Sequence, residues 1–206
     1  GCMVQQEHIT EQIKKKHPHV DLLLGTAYVN DFKQILLDYL AERGNKRRTR
    51  VYDDLTIHQS EFEGKMVRQS KFEAWIPIMY GCNNFCSYCV VPYTRGRERS
   101  RDVESIKNEV LDLYNKGYKE VTLLGQNVNS YRYQGVDENG KEIEVNFPSL
   151  LRIIAELVPQ MRIRFTTSHP KDMSDETLEV IAQYDNLCKF IHLPVQSGSN
   201  RILKLM

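Results

Sequence analysis

Three of the five cysteines, Cys82, Cys86 and Cys89, fall within eight residues of one another in the stretch Gly81-Cys82-Asn83-Asn84-Phe85-Cys86-Ser87-Tyr88-Cys89. Buried single cysteines behave as small hydrophobes and have no reason to cluster, so the grouping points to metal. An odd total, with Cys2 and Cys188 standing alone, is a poor disulfide framework and suits a reducing compartment. Structural zinc takes four ligands, commonly as two paired spacings. No second pair follows here, so zinc would need a distant histidine such as His58 or His169. An iron–sulfur cube is held by thiolates, and three of them leave one iron open to a further ligand. The triplet therefore suits a cluster that does chemistry on a bound molecule.

Beside it, Arg95, Arg97, Arg99 and Arg101 alternate after Pro92. If that stretch is extended, its period of two puts all four guanidinium groups on one side, a cationic face fitted to carboxylate or phosphate. Three further polar stretches stand out: Gly125-Gln126-Asn127-Val128-Asn129, Thr166-Thr167-Ser168-His169-Pro170 and Pro194-Val195-Gln196-Ser197-Gly198-Ser199. Gln126, Ser168 and Gln196 are the pocket candidates among them. His169 has the chemistry of a general base, although a loop histidine before proline is more readily structural. His192 reads as an interior histidine and Cys188 as core, while His8, His17, His19 and His58 show no partner pattern.

The elements that must position these groups alternate in type. The pattern predicts a helix over 5–16, a buried strand over 20–24 and a helix over 31–43 with Ile35, Leu36, Tyr39 and Leu40 on one stripe. Residues 1–45 read as the end of an α/β domain. Periodicity is lost over 46–70, where the basic run Lys46-Arg47-Arg48-Thr49-Arg50 lies, and this stretch reads as a linker. From 71 to 206 the order is strand 72–80, helix 102–115, strand 120–124, helix 148–158, strand 162–166, helix 174–184, strand 189–193 and a helix opening near 199. Four strand-then-helix units imply a parallel sheet of the (β/α) barrel kind, with working residues in the loops after each strand.

Composition sets the bounds. With 206 residues and 41% hydrophobic content the chain can bury a core, and Lys+Arg 28 against Asp+Glu 27 gives no global argument for a histone-like nucleic-acid binder. No apolar run approaches a membrane span and the first residues lack a leader pattern, so a soluble, cytoplasmic protein is expected. The chain starts without methionine and stops inside a helical pattern, which reads as a piece of a longer protein.

A strand followed by CxxxCxxC, with Tyr88 just before the last cysteine, resembles the signature of the radical S-adenosylmethionine (SAM) enzymes. The stretches GCNNFCSYCVVPYTRGRERSR (81–101), LLGQNVNSY (123–131), RFTTSHP (164–170) and HLPVQSGSN (192–200) are similar to the MiaB-type tRNA methylthiotransferases of that superfamily. The resemblance implies a partial (β/α) radical SAM barrel preceded by the C-terminal part of an α/β auxiliary-cluster domain. It implies two [4Fe-4S] clusters in the full-length protein. One would sit on Cys82, Cys86 and Cys89; the other would take Cys2, in Gly1-Cys2-Met3-Val4-Gln5, as one ligand. Tyr88, Arg99, Gln126, Ser168 and Gln196 would line the SAM site.

The activity implied is a 2-methylthio transfer to N6-isopentenyladenosine at position 37 of tRNA. SAM cleavage yields a 5′-deoxyadenosyl radical, sulfur is inserted at C2, and a second SAM supplies the methyl group. Rivals within the same chemistry act on threonylcarbamoyl-adenosine in tRNA or on an aspartate of a ribosomal protein. A rival of another class is a non-catalytic metal-binding RNA module. Expected partners are tRNA, SAM and an electron donor, with no membrane, for a monomer; the 206-residue piece alone is expected to be inactive.

Overall fold

The computed structural model describes residues 1–42, 49–53, 67–136 and 140–206. These form two compact units, Gly1–Met66 with Cys89–Gly96, and Val67–Tyr88 with Arg97–Met206.

In the smaller unit a 3-10 turn, Cys2–Gln5, leads into helix α1 (Glu7–Lys16), strand β1 (Leu22–Leu24), a second 3-10 turn (Thr26–Tyr28), helix α2 (Phe32–Ala41) and strand β2 (Arg50–Tyr52). The short helix α3 (Val91–Arg95) completes it. Helix α1 has Glu7 in its first turn and Lys14, Lys15 and Lys16 in its last, both in the sense the helix dipole favours. Strands β1 and β2 pair in parallel with Leu23 opposite Val51, and the ladder continues as Gly25 N donates to Tyr52 O at 2.7 Å. Strand β2 lies in the stretch that reads as aperiodic, because a strand of three residues is too short to display a period. Of the predicted stripe on α2, Ile35, Leu36 and Tyr39 are half-buried and Leu40 is exposed. His58 and Lys46, Arg47 and Arg48 lie outside the described residues.

The larger unit opens with β3 (Glu73–Pro77) and β4 (Met79–Tyr80), then β5 (Arg99–Ser100), α4 (Val103–Asn115) and β6 (Glu120–Leu124). It continues with β7 (Arg132–Val136), β8 (Glu142–Asn146), α5 (Phe147–Leu157), β9 (Arg162–Phe165), α6 (Asp175–Gln183) and α7 (Asn200–Leu203). Strands β3, β6 and β9 form a parallel sheet with β6 in the centre. Its register sets Ala74, Val121 and Ile163 in one row and Ile76, Leu123 and Phe165 in another. All six are buried, in one core with Ile106, Val110 and Leu113 of α4, Leu150, Leu151 and Ile154 of α5, and Val180 of α6. The intervening rows are polar: Glu73, Glu120 and Arg162 align, as do Trp75, Thr122 and Arg164. Glu120 is ion-paired with Arg164 at 3.0 Å and Arg162 at 3.3 Å, which compensates a carboxylate whose side chain is 9% exposed.

In the larger unit α4, α5 and α6 each start on a side-chain cap. Asp102 accepts from Ser105 N at 2.7 Å, Asn146 from Ser149 N at 3.0 Å and Ser174 from Thr177 N at 3.2 Å, each satisfying an amide the helix cannot. Gly117 ends α4 with φ 87°, the left-handed conformation that glycine adopts without penalty.

The strands of the larger unit depart from the sequence expectation. The strand over 72–80 is divided: Ile78 N still donates to Leu124 O at 2.9 Å, and beyond it β4 pairs antiparallel with β5. The hairpin β7–β8 was not anticipated. The fourth strand, 189–193, does not form: the chain meets β9 in a bridge at Leu187, where Ile163 N donates to Asn186 O at 2.8 Å and Cys188 N to Ile163 O at 2.9 Å. The Lys189 ammonium instead donates to the carbonyls of Ile181 and Tyr184 at the end of α6. His192 is consequently exposed, not interior, and Cys188 is half-buried.

Candidate functional site

The chain leaves each parallel strand of the larger unit at its carboxyl end and enters a polar loop there, the end at which such sheets carry their chemistry. After β4 the loop turns at Gly81, with φ 73°, and presents the three cysteines in order. Cys82 is buried and belongs to the larger unit with half-buried Cys86; Cys89, also half-buried, opens the segment that belongs to the smaller unit. None of the five cysteines is in a disulfide.

Backbone strain gathers in the same loops. Among the described residues Phe85, Thr167 and Gln196 are the non-glycine residues with left-handed backbones, at φ 49°, 69° and 64°. Such conformations cost about 1 kcal/mol or more each and persist only where the surroundings impose them. Phe85, between Cys82 and Cys86, carries the Arg97 guanidinium over its ring, 4.5 Å from the centroid.

Asp172 ties the loops together. Its Oδ2 accepts from Asn127 Nδ2, after β6, at 2.6 Å and from Asn84 Nδ2, in the cysteine loop, at 3.4 Å. Asn83 Oδ1 accepts from Glu98 N at 3.2 Å, and the Glu98 carboxylate accepts from Ser130 Oγ at 2.7 Å. Burial holds the Glu98 carboxyl above its ordinary range; the Ser130 bond opposes this and the Asp172 charge adds to it. Val128 N donates to Thr167 O at 3.0 Å, fixing the loop after β6 to the loop after β9.

The predicted pocket residues lie in these loops. Tyr88 OH donates to Gln196 Oε1 at 2.7 Å, which brings two of them into contact. Ser168 is 5% exposed and Asn127 2% exposed. Among the described residues Ser168 Oγ, Asn127 Oδ1, Asn129 Oδ1 and Gln126 Oε1 are buried with no hydrogen-bond partner. Buried polar atoms left unmatched carry a desolvation cost that a bound polar ligand can offset. His169 Nδ1 accepts from Lys171 N at 3.2 Å and caps the turn Pro170–Asp172, the structural alternative for that residue.

The arginine face does not form as expected. Residues 91–95 are helical, Gly96 turns with φ 77°, and only Arg99 and Ser100 are in a strand. Arg95 ends α3, Arg97 stacks on Phe85, and half-buried Arg99 lies opposite Tyr80 on β5. Arg101 turns inward to Glu109, at 2.5 Å, which also holds Arg68. Asp172 and Glu98 escaped sequence reasoning: lone carboxylates in loops carry no spacing signal, and their partners come from other loops.

No three His, Cys, Asp or Glu side chains converge on a single point able to hold one metal ion among the described residues. An iron–sulfur cube makes a different demand, because each thiolate binds its own iron and the sulfurs stand apart around the cube. Three thiols free of disulfides, in one loop, with unmatched polar atoms in the loops beside it, fit that group by donor chemistry.

A tRNA-2-methylthio-N(6)-dimethylallyladenosine synthase of Phocaeicola vulgatus is 56% identical over 209 aligned positions, and one of Bacteroides fragilis is 53% identical over 206. Each match covers 100% of this chain and 43% of the relative, so the chain spans less than half of the proteins it matches. Among solved structures, the radical S-adenosylmethionine methyltransferase TsrM from Kitasatospora setae overlaps 65% of this chain and 24% of its own, at 18% identity and a TM-score of 0.49. Residues 76–206, from the end of β3 through the cysteine loop to the last residue, match the radical SAM superfamily, and the chain belongs to that superfamily.

Proposed function

We propose that this chain is part of a tRNA methylthiotransferase that installs a 2-methylthio group on N6-isopentenyladenosine at position 37. The observation that carries the reading is the loop of three disulfide-free thiols at the carboxyl end of a parallel sheet, in a chain that aligns end to end with synthases named for that product. A [4Fe-4S] cluster on Cys82, Cys86 and Cys89 would supply an open iron for SAM and the electron for its reductive cleavage.

The chain's own residues would orient and enclose. The Tyr88–Gln196 contact closes one side of the site. The unmatched acceptors of Gln126, Asn127 and Asn129 offer partners to the amino and ribose hydroxyl donors of SAM, and Ser168 can donate or accept. Half-buried Arg99 supplies charge for a carboxylate or a phosphate. Cys2 would be one of the ligands of an auxiliary cluster in the smaller unit. The full protein would take tRNA, SAM and an electron donor as partners and act as a monomer in the cytoplasm. None of the described helices is long and apolar enough to cross a membrane.

The test is anaerobic reconstitution of the chain with iron and sulfide, with low-temperature EPR of the reduced sample with and without SAM. About four irons with matching sulfide, lost in the Cys82→Ala/Cys86→Ala/Cys89→Ala variant, and a signal that shifts with SAM are expected. Zinc near one per chain without sulfide, or a spectrum indifferent to SAM, would overturn the reading in favour of a structural metal module.

A further inference from the structure

A run of hydrogen bonds crosses the smaller unit. Gln5 closes the 3-10 turn that carries Cys2; it donates from Nε2 to Asp53 O at 2.6 Å and accepts at Oε1 from Thr26 N at 3.0 Å. Its amide lies so close over Gly25 that a β-carbon there would come within 1.7 Å of Gln5 Oε1. Thr26 Oγ1 then donates to Thr94 O at 2.7 Å. Thr94, on α3 and 2% exposed, donates from its own Oγ1 to Val90 O at 3.2 Å, and Val90 is the residue after Cys89. Helix α3 packs against both 3-10 turns of the unit.

We infer that Thr26 and Gln5 are positioning residues for Cys89, holding the segment that begins at this thiol on the turn that carries Cys2. The inference rests on the proposal that Cys82, Cys86 and Cys89 share a cluster, and it assigns a task to side chains that touch no cofactor. A thiolate at the start of a short helix has its direction set by the backbone that follows it. Here that backbone is anchored from outside the cysteine loop, by a threonine hydroxyl reaching the carbonyl of Thr94. The glutamine of Gly-Cys-Met-Val-Gln thereby gains a physical reason: its carboxamide serves the Thr26 amide and the Asp53 carbonyl at once.

The experiment uses the full-length protein with Thr26→Val, which keeps the size and the backbone N–H and removes the hydroxyl. Two rates are read. In the loaded, reduced protein, the SAM-sensitive EPR signal is followed as iron is drawn off by a chelator. In the apo, reduced protein, alkylation of Cys89 and Cys86 by iodoacetamide is followed by peptide mass spectrometry. Loss of one such hydrogen bond should speed both signal loss and Cys89 alkylation roughly fivefold, with Cys86 unchanged. Thr26→Ser should restore the parent rates. Thr49→Val removes a comparable hydroxyl bond, to Val20 O at 2.9 Å in the same unit, and should move neither rate.

Parent-like rates in Thr26→Val, or equal acceleration in Thr49→Val, overturn the inference. If Thr26→Val fails to fold by circular dichroism, Gln5→Glu replaces it; that variant keeps the acceptor for Thr26 N, loses the donor to Asp53 O, and should alkylate faster at Cys89. Parent-like alkylation of Gln5→Glu overturns the inference equally. A parent protein that holds no iron on the three thiols defeats the proposed function, while the alkylation rates still decide the role of Thr26.

Discussion

Asn127 Nδ2 donates to Asp172 Oδ2 at 2.6 Å, so a nearly fully buried amide in the loop after β6 is held by a carboxylate in the loop after β9. The other end of that amide, Oδ1, is unmatched among the described residues, and Asp172 is its anchor. Asp172→Ala should destabilise the chain by about 1–3 kcal/mol, the cost of stranding a buried polar group, measured by urea unfolding. SAM affinity of the reconstituted protein should fall with it. Unchanged stability and unchanged affinity would show that the two loops hold their places without the carboxylate.

Glu98 gives a pH dependence with a definite sign. Burial raises its folded-state pKa above the ordinary 4.5, so the folded chain keeps a proton that the unfolded chain releases. The stabilisation from this group is complete below that ordinary value and declines as pH rises through the folded value. Glu98→Gln carries no charge at any pH and can still accept from Ser130. Thermal melts should therefore rank the variant above the parent at about pH 7, with the gap closing at about pH 4. A gap that widens on acidification would contradict the assignment.

The Glu109 carboxylate holds both Arg101 and Arg68, and the three side chains are between 11% and 17% exposed. Removing the shared anion leaves two largely buried guanidinium groups without it, so Glu109→Ala should cost about 3 kcal/mol in denaturant unfolding. Arg101→Ala should cost less, because Arg68 keeps its partner. Equal effects would mean that the pairs act separately.

Gly125 sits where a β-carbon would lie 2.5 Å from Cγ of buried Met79 and 3.2 Å from Val128. Gly125→Ala should destabilise by about 1–3 kcal/mol through overpacking, and Met79→Ala in the same chain should recover part of the loss. The comparison is a double-mutant cycle, and additivity within error would exclude the clash.

What could be read in advance follows from range. The helices announce themselves through local signals: Asp102, Ser174 and the end of α4 at Gly117 are caps legible in a few residues. The cysteine triplet is legible because its ligands are neighbours in sequence. KFIHL has strand composition, yet no strand forms over 189–193, since pairing with β9 depends on a neighbour outside that stretch and stops at Leu187. The arginine alternation fails for a similar reason: Gly96 turns the chain before Arg97 and half-buried Glu109 holds Arg101, and neither belongs to the pattern. Asp172 and Glu98 depend entirely on loops brought together by the sheet.

The position of β6 between β3 and β9 has a kinetic consequence. Its amides and carbonyls are engaged on both sides, under a core in which Val121 and Leu123 are fully buried. Solvent deuterium should reach Val121 to Leu124 only through the largest opening of this unit, whereas the backbone over 189–193 should exchange almost at once. The polar loops thus grow from a slow-exchanging floor, and their looseness need not loosen the sheet beneath them.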